Sequence, residues 1–226
     1  SQLILLGVLV VVYVFNIRYL PLRGEGVTFL LRVIIPYLNL ALAGFVLASV
    51  AARFIFPSVS LEGRTLWLLK SSPARMTDVL WAKFWIGTIP LLILANIIVV
   101  ATSILLQVDQ FILIVTVATI TLMTFGIAGL ALGFGTMFPQ YETENAAQIP
   151  TSFGGLLYMM AAISFIGGVI VLEGKPVYAY ARSRAWKIPY ETSELILPFA
   201  AVVVLCAAVA LVPLIIARRR LAAVER

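Results

Sequence analysis

Long apolar runs separated by short polar connections dominate the pattern of this chain. A helix needs about 20 apolar residues to cross the hydrocarbon core of a bilayer, so these runs predict membrane-spanning helices. Six runs cover residues 3–15, 27–52, 84–106, 111–138, 153–172 and 195–216. The first is too short for a complete span, and we expect that residues before Ser1 are missing. The pattern predicts an all-α, polytopic transmembrane helix bundle of about six spans, a single domain over 1–226 that is the C-terminal part of a longer protein.

Composition supports the membrane class. Hydrophobic residues make up 62% of the chain and charged residues 12%, whereas charged residues are about 25% of an ordinary soluble domain. The net charge of +6 comes mostly from Lys and Arg that flank apolar runs, which is typical of membrane topology and not of nucleic-acid binding. The single cysteine, Cys206, lies in an apolar run and predicts neither a disulfide nor a cysteine metal site. We therefore expect membrane lipids as partners and no nucleic acid.

The segment 56–83 lies between the second and third predicted spans. With the preceding Arg53 it carries five of the sixteen basic residues of the chain: Arg53, Arg64, Lys70, Arg75 and Lys83. A basic loop beside membrane spans belongs on the cytoplasmic side, so we predict a cytoplasmic elbow. Ser60 can cap a first short helix in it, with Glu62 in the first turn. Ser72 and Pro73 can start a second helix that continues into the third span.

The first helix of the elbow has two unlike faces. Arg64, Trp67 and Lys70 share one side of the helical wheel, while Leu61 and Leu68 lie on the other. One interpretation is an amphipathic helix on the membrane surface with Trp67 in the aromatic belt. The other is a protein contact, because exposed tryptophan and arginine side chains form interface hot spots. A tryptophan in the middle of the basic face favours the protein contact.

Three further polar segments complete the predicted topology. The loop 139–152 holds two acids and no base, and the aromatic, basic segment 173–194 is predicted as an extracytoplasmic loop that caps the membrane. The last span is followed by Arg218, Arg219 and Arg220, which predict a cytoplasmic C-terminus. Alternation places the elbow, the acidic loop and the arginine tail on one side. The tail also includes Arg226, so this side has nine basic residues against seven on the other. This charge bias is small, so the orientation depends on the basic residues nearest the span ends.

The sequence contains no recognisable catalytic motif. There is no histidine, which excludes His-ligated haem, Ser-His and Cys-His nucleophiles and the HExxH zinc motif. There is also no G-x-x-x-x-G-K-[ST] motif, so we do not expect the chain to hydrolyse ATP. No acidic residue lies within a predicted span, which disfavours an ion-coupled carrier. Asn39 and Asn96 are the candidate polar pathway residues, with interhelical hydrogen bonds as the alternative.

The fourth predicted span contains glycines at a spacing that favours close helix packing. Gly129 and Gly133 are four residues apart, and Gly126 lies one turn earlier, which places bare backbone on one face. Such small-xxx-small pairs allow another helix to approach closely. The alternative is that these glycines only reflect the higher frequency of glycine in membrane helices.

Two stretches resemble a known family. FPSVSLEGRTLWLLKSSP followed by LWAKFW, and FGTMFPQYETENAAQIPTSFGGLLYMM, are similar to the membrane subunits of ATP-binding-cassette exporters of the type-two permease kind, over about residues 53–160. The chain has Gln140-Tyr141-Glu142 and Asn145-Ala146 where the family has a basic-aromatic-acidic triplet and Asn-Pro. The resemblance implies a permease in the inner membrane of a prokaryotic cell, paired with a second permease half or copy. It also implies a separate cytoplasmic ATP-binding-cassette ATPase that binds ATP and Mg, so no cofactor is expected in this chain.

The resemblance assigns roles to both connections. Residues 61–71 would be a coupling helix that docks on the ATPase, with contacts from Glu62, Arg64, Trp67, Lys70 and Arg75. The second cytoplasmic loop would contribute Tyr141, Glu142, Glu144 and Asn145. We therefore expect the transmembrane subunit of an ATP-driven exporter, which forms the translocation pathway and has no catalytic residue of its own. The alternatives are a non-transporting scaffold subunit of a membrane complex and a secondary transporter or channel.

Overall fold

Five long α-helices form the described part of the chain. The computed structural model describes residues 29–61, 76–140, 146–186 and 192–224, and each long helix contains a stretch long and apolar enough to cross a membrane. The helices are α1 (Phe29–Phe54), α2 (Met76–Leu105), α3 (Gln110–Met137), α4 (Phe153–Trp186) and α5 (Thr192–Val224). No β-strand occurs in the described ranges. The prediction of an all-α, membrane-type bundle is confirmed, and the predicted span 3–15 lies outside the described residues.

The first three helices agree with the predicted spans over most of their length. α1 ends at Phe54 and is followed by a short 3-10 helix, Phe56–Ser58. α2 starts at Met76, eight residues before the predicted start of the third span at 84. Asp78 lies in its first turn, where an acidic side chain interacts favourably with the helix dipole. The early start agrees with an elbow that continues into the third span.

A tight connection joins α2 to α3 in an antiparallel hairpin. α2 ends at Leu105 and α3 starts at Gln110. Between them, Gln107 has a φ of 51°, in the left-handed region that non-glycine residues seldom adopt. Asp109 precedes α3 in an extended conformation, and its carboxylate accepts a hydrogen bond from the hydroxyl of Tyr180 in α4. The hairpin turn is therefore fixed by a contact with a third helix.

α3 is the central helix of the bundle. It packs against α1, α2, α4 and α5. Its second half is buried almost all the way round, with side chains such as Ile127, Leu130 and Leu132 in the core. A helix that is apolar on every side is expected in the interior of a membrane bundle. The core of the molecule therefore follows α3.

α4 is longer than the span predicted from the sequence. The sequence predicts a span over 153–172 and a polar loop over 173–194, but α4 continues without a break to Trp186 and α5 starts at Thr192. The loop prediction therefore differs from the structure over 173–186, which is helical. The side of the membrane that this segment faces remains a prediction.

An apolar face explains why α4 continues. Val177 and Tyr180 pack with Phe111 and Ile112 of α3 in a small cluster separate from the main core. The rings of Tyr180 and Phe111 stack, with their centroids 4.4 Å apart. An aromatic residue that the sequence pattern favours as part of a membrane cap thus contributes to helix packing.

The alternating helices give the bundle two distinct ends. The hairpin end contains the connection between α2 and α3, Tyr180 and the start of α5. The other end, which we call the Ser60 end, consists of residues 56–61, 138–140 and 146–152. These residues include the start of the predicted elbow and both ends of the predicted acidic loop. Arg220 of α5 donates a hydrogen bond to the carbonyl of Met137 at 3.1 Å, so the end of α5 also lies here.

Candidate functional site

The residues predicted to couple this chain to an ATPase lie outside the described ranges. They are Glu62, Arg64, Trp67, Lys70 and Arg75 of the elbow and Tyr141, Glu142, Glu144 and Asn145 of the second loop. The structure does describe the residues that flank these two segments, and they form the Ser60 end. The contacts of the Ser60 end therefore show which helices the two loops are attached to.

The starts of the two loops are hydrogen-bonded to each other. The buried hydroxyl of Ser60 accepts a hydrogen bond from the backbone N–H of Gln140 at 3.1 Å. The sequence predicts Ser60 as the cap of the first elbow helix, and the structure gives its hydroxyl this contact with the second loop. The two residues are 80 positions apart in sequence, so the bond fixes the relative position of distant segments. The start of the elbow and the start of the acidic loop therefore lie side by side.

Phe56 anchors the start of the elbow in the core. Its side chain is fully buried, and its ring centroid lies 5.9 Å from that of Tyr158 in α4. Gly135 of α3 permits this approach, because a Cβ at that position would overlap the carbonyl oxygen of Phe56. Tyr158 is fixed in turn by a hydrogen bond from its hydroxyl to the carbonyl of Ala48 in α1 at 3.0 Å. The start of the elbow is thus packed against α1, α3 and α4.

Basic side chains surround the Ser60 end. Lys83 of α2 donates a hydrogen bond to the carbonyl of Ser58 at 2.7 Å. Arg220 makes the corresponding contact with Met137 at the end of α3, and Arg219 beside it is exposed. Cationic side chains at helix C-termini satisfy carbonyls that have no partner within the helix. These contacts connect α2 and α5 to the chain segments from which the two loops emerge.

The predicted glycine face contacts two different helices. At Gly129 an added Cβ would lie 2.5 Å from a backbone carbonyl oxygen of α5, and at Gly133 it would overlap Pro213 of the same helix. Gly126 faces α4 instead, where an added Cβ would lie 2.6 Å from the ring of Phe165. α5 therefore approaches α3 closely at two positions that lack a side chain. Gly126 does not extend this contact, because it is turned toward α4.

The two candidate pathway asparagines lie on different helices. Asn96 of α2 donates a hydrogen bond to the carbonyl of Leu92 at 2.9 Å and accepts one from the hydroxyl of Thr121 in α3 at 3.4 Å. Asn39 is buried in α1. For Asn96 the structure thus gives the interhelical hydrogen bond that is the alternative to a pathway role. This bond links the two helices of the hairpin.

Glu173 is a polar residue that the sequence analysis misses. It lies within the apolar stretch Phe153–Tyr180 of α4 and is fully buried. The expectation that no acidic residue lies within a span is therefore wrong. The predicted span ends at Leu172, which makes Glu173 the first residue of a polar loop. The signal for burial was the helical spacing, because Phe165, Val169 and Glu173 recur every four residues on one buried face.

The carboxyl of Glu173 is hydrogen-bonded to α3, and a buried hydroxyl of α1 lies close to the neighbouring Gly174. The hydroxyl of Thr119 in α3 donates a hydrogen bond to Oε1 of Glu173, while Oε2 has no hydrogen-bond partner. The hydroxyl of Tyr37 in α1 is likewise buried without a partner, and it lies 3.7 Å from where a Cβ at Gly174 would be. α1, α3 and α4 therefore each place a buried polar group in this part of the bundle. We call Tyr37, Thr119 and Glu173 the Glu173 site.

Among the open clefts lined by the described residues, two lie on the outside of the bundle between long helices. One, of about 490 Å³, is between α4 and α5 at the hairpin end and includes Lys175 and Arg182 in its lining. The other, of about 310 Å³, is apolar and lies between α2, α3 and α5. Neither cleft is lined by a residue of the Glu173 site. Across the part of the chain that the structure describes, no group of three or more His, Cys, Asp or Glu side chains is placed to hold a metal ion.

Comparison with known proteins gives one family match. A protein-family model with the description "Putative ATP-binding cassette" matches residues 1–226, the whole chain. No curated protein and no solved structure matches the chain at a significant level. The family description names the ATP-binding cassette and does not state that its members are permeases. In this chain the match falls on apolar helices of the length that crosses a membrane.

Proposed function

Because the chain belongs to the putative ATP-binding cassette family over its whole length, we propose that it is the transmembrane subunit of an ATP-driven exporter. A separate cytoplasmic ATPase would bind ATP and Mg and hydrolyse the nucleotide. The observation that carries the proposal is the hydrogen bond between Ser60 and Gln140 at 3.1 Å. It joins the starts of both predicted cytoplasmic loops on a packed base, and a rigid base of this kind supports a docking surface for an ATPase.

The packing of Phe56 supports a mechanical link between the elbow and the transmembrane helices. A fully buried side chain in close contact with α3 and α4 cannot move without displacing its neighbours, because protein interiors are densely packed. A force applied to the elbow would therefore be transmitted to α1, α3 and α4. This is the mechanical property that coupling of ATP hydrolysis to transport needs.

The residues of the elbow would form the contact with the ATPase. Trp67 would be the central anchor, with Arg64 and Lys70 beside it, since buried aromatic and arginine side chains dominate interface energies. Glu62 and Arg75 would complete the elbow contact. The acidic loop would add Tyr141, Glu142, Glu144 and Asn145 from the adjacent segment. In this proposal the Ser60 end and the C-terminus are cytoplasmic, the membrane is the inner membrane of a prokaryotic cell, and a second permease half or copy completes the pathway.

A secondary transporter is the second candidate function, and Glu173 favours it. Ion-coupled carriers use ionisable side chains buried between membrane helices. The fully buried Glu173 is such a side chain. A carrier of this kind would not need an ATPase, so the two functions differ in their partners.

Purification of the tagged chain from its native membrane tests the proposed function. We expect a protein with ATP-binding-cassette motifs to copurify, and its ATP hydrolysis to rise when the chain is present. Trp67→Ala and Arg64→Glu should each weaken the association, because loss of a central anchor costs about 2 kcal/mol or more. Leu68→Ala, on the opposite face of the same predicted helix, is the matched control and should bind normally. Equal recovery of the ATPase with all three variants would contradict the proposed contact, and absence of any such ATPase would favour the secondary transporter.

A further inference from the structure

The Glu173 site contains buried polar atoms without a hydrogen-bond partner, which a purely structural contact between helices does not need. The single hydrogen bond from Thr119 accounts for Oε1 of Glu173. Oε2 and the hydroxyl of Tyr37 are both buried and have no hydrogen-bond partner. Among the described side chains no Lys or Arg forms an ion pair with this carboxyl. A structural hydrogen bond between α3 and α4 therefore explains one of these three polar atoms and leaves two unexplained.

An unmatched carboxyl in this position is costly for the fold. Burial of a polar group without a hydrogen bond destabilises a protein, and burial of an unpaired charge does so more strongly. An apolar side chain of similar size would fill the same space without that cost. Ionisable residues that persist between membrane helices are typical of binding sites and transport pathways. The arrangement therefore indicates that Glu173 has a ligand.

The composition of the site defines the charge of this ligand. The site holds one carboxyl, from Glu173, and two neutral hydroxyls, from Tyr37 and Thr119. One carboxylate balances one positive charge, whereas divalent ions are held by more carboxylates or a larger oxygen shell. All of the available ligand atoms are oxygens, which favour alkali-type cations and N–H donors over soft metals. We propose that the Glu173 site binds a single monovalent positive group, either a small cation or the ammonium group of a transported compound.

The position of the site within the bundle connects it with the elbow. Tyr37 is carried by α1, whose other end leads into Phe56 and the start of the elbow. Glu173 is carried by α4, which packs directly on α1. Displacement of α1 relative to α4 would move the Tyr37 hydroxyl away from the carboxyl and change the affinity of the site. The ammonium alternative rests on the proposed export function, whereas binding of a small cation does not.

The distance from the site to the hairpin end is short. Tyr180, which donates a hydrogen bond to Asp109 at the hairpin end, lies seven residues after Glu173 on α4. At 1.5 Å per residue the separation is about 10 Å along the helix. A cation that enters from the hairpin end would therefore reach Glu173 after crossing only part of the bundle.

Carbodiimide labelling tests the site without a known substrate. Dicyclohexylcarbodiimide is apolar and modifies protonated carboxyls inside membranes, and a bound cation excludes the proton and prevents the modification. The intact chain in lipid nanodiscs would be labelled at rising NaCl or, in parallel, at rising ethylammonium chloride. N-methylglucamine chloride keeps the ionic strength constant, and mass spectrometry reads the peptide that contains Glu173. At ten times the half-protecting concentration, labelling of Glu173 should fall roughly tenfold.

Two controls keep the result specific to the site. The carboxyl of Asp109 lies outside the site and accepts a hydrogen bond from Tyr180. Its labelling in the same sample should not change with the cation concentration. Tyr37→Phe keeps the ring and removes one oxygen of the site, so the half-protecting concentration should rise roughly five- to tenfold. Tyr178→Phe removes the hydroxyl of a tyrosine that is exposed on α4 and should leave that concentration unchanged.

The outcomes separate the two sources of the charge. Protection by NaCl alone would assign the site to a small cation, protection by ethylammonium alone would assign it to the ammonium group of a substrate, and protection by both would support the common chemistry. Glu173→Gln should abolish the labelling and any rise in melting temperature caused by the protecting cation. Labelling of Glu173 that neither cation changes, or no labelling of Glu173 in the folded protein, would overturn the proposal. Because the ATPase takes no part in this experiment, failure of the export function and failure of the cation site are distinguishable.

Discussion

At the residue scale, the contact between α3 and α5 depends on what each position of α3 carries. Gly129 and Gly133 leave room for the backbone of α5, while Leu132 next to them is fully buried. Truncation of the Leu132 side chain would therefore leave a cavity and lower stability, so it cannot serve as a control for substitutions at the two glycines. Gly167 of α4 is a better comparison, because an added Cβ there would meet nothing within 4 Å.

Substitution of one glycine by alanine tests this contact. Gly133→Ala should lower the free energy of unfolding in detergent by about 1–3 kcal/mol, since the new methyl group overlaps Pro213 and forces α5 to move. Gly167→Ala should leave stability unchanged or raise it slightly, because it replaces glycine in a helix at an open position. The melting temperature of each variant is measured by thermal unfolding in detergent, with a fluorescent probe that does not react with thiols. Equal melting temperatures for the two would contradict close packing at Gly133.

A pair of tyrosines gives a second prediction at this scale. Tyr158 is fully buried, and its hydroxyl donates to the carbonyl of Ala48, whereas Tyr178 is exposed. Tyr158→Phe should cost about 1 kcal/mol of stability, the typical net value of one buried hydrogen bond. Tyr178→Phe should cost nothing measurable by the same thermal assay. A loss that is the same for both tyrosines would mean that the bond to α1 does not contribute to the position of Tyr158.

At the element scale, the bond between Ser60 and Gln140 joins the start of the elbow to the start of the acidic loop. The bond lies at the base of both segments and not in the predicted contact surface. Loss of this bond should therefore not alter the residues proposed to contact an ATPase, but it should loosen their connection with the bundle. Binding of the proposed ATPase and transmission of its motion to the helices can therefore be measured separately.

The variant Ser60→Ala tests whether ATPase binding and ATPase stimulation can be separated. The variant removes the acceptor for the N–H of Gln140 and should cost about 1 kcal/mol locally. We expect the ATPase to copurify as with the unchanged chain, while stimulation of its ATP hydrolysis falls severalfold. Ser49→Ala, whose hydroxyl bonds only within its own helix to Phe45, is the control and should leave both quantities unchanged. Loss of copurification with Ser60→Ala would show that the bond supports docking itself.

The helices themselves could be predicted from hydropathy, but their ends and partners could not. A run of apolar residues predicts α3 well because almost every side chain of that helix is apolar, whichever helix it meets. α4 extends past Leu172 because Val177 and Tyr180 find apolar partners on α3, and such tertiary contacts leave no local signal. The burial of Glu173 was missed for a different reason, because the polar residues after Leu172 were interpreted as a loop although Phe165, Val169 and Glu173 recur at helical spacing. The spacing of Gly129 and Gly133 predicted a close contact, whereas the turn of Gly126 toward α4 depends on the packing of a third helix.

At the scale of the whole molecule, the two ends of the bundle must face opposite sides of the membrane. The basic residues Lys83, Arg219 and Arg220 gather at the Ser60 end, and basic residues near span ends favour the cytoplasmic side. The hairpin end also has basic residues, Lys175 and Arg182, in the cleft between α4 and α5. Charge alone therefore gives a weak preference, and the orientation needs a direct test.

Single cysteines at the two ends provide that test. Gln148 at the Ser60 end and Gln110 at the hairpin end are both exposed, and the buried Cys206 is first replaced by alanine. In intact cells, Gln110→Cys should react with a membrane-impermeant maleimide and Gln148→Cys should be protected until the membrane is permeabilised. The reverse pattern would invert the topology and place the elbow outside the cell. Reaction of both in intact cells would show that the membrane was not sealed, and a protected cytosolic marker protein controls for this.

Photo-crosslinking from position 67 in living cells shows directly whether the elbow binds an ATPase. A benzophenone amino acid in place of Trp67 forms a covalent bond on irradiation to whatever lies within a few ångströms. We expect a crosslinked product that contains a protein with ATP-binding-cassette motifs. No such product should form when the same group replaces Leu197, which is exposed near the start of α5 at the hairpin end. Crosslinks from position 67 to lipid alone, in a chain that is inserted and stable, would contradict ATPase binding and identify the elbow as a helix that lies on the membrane surface.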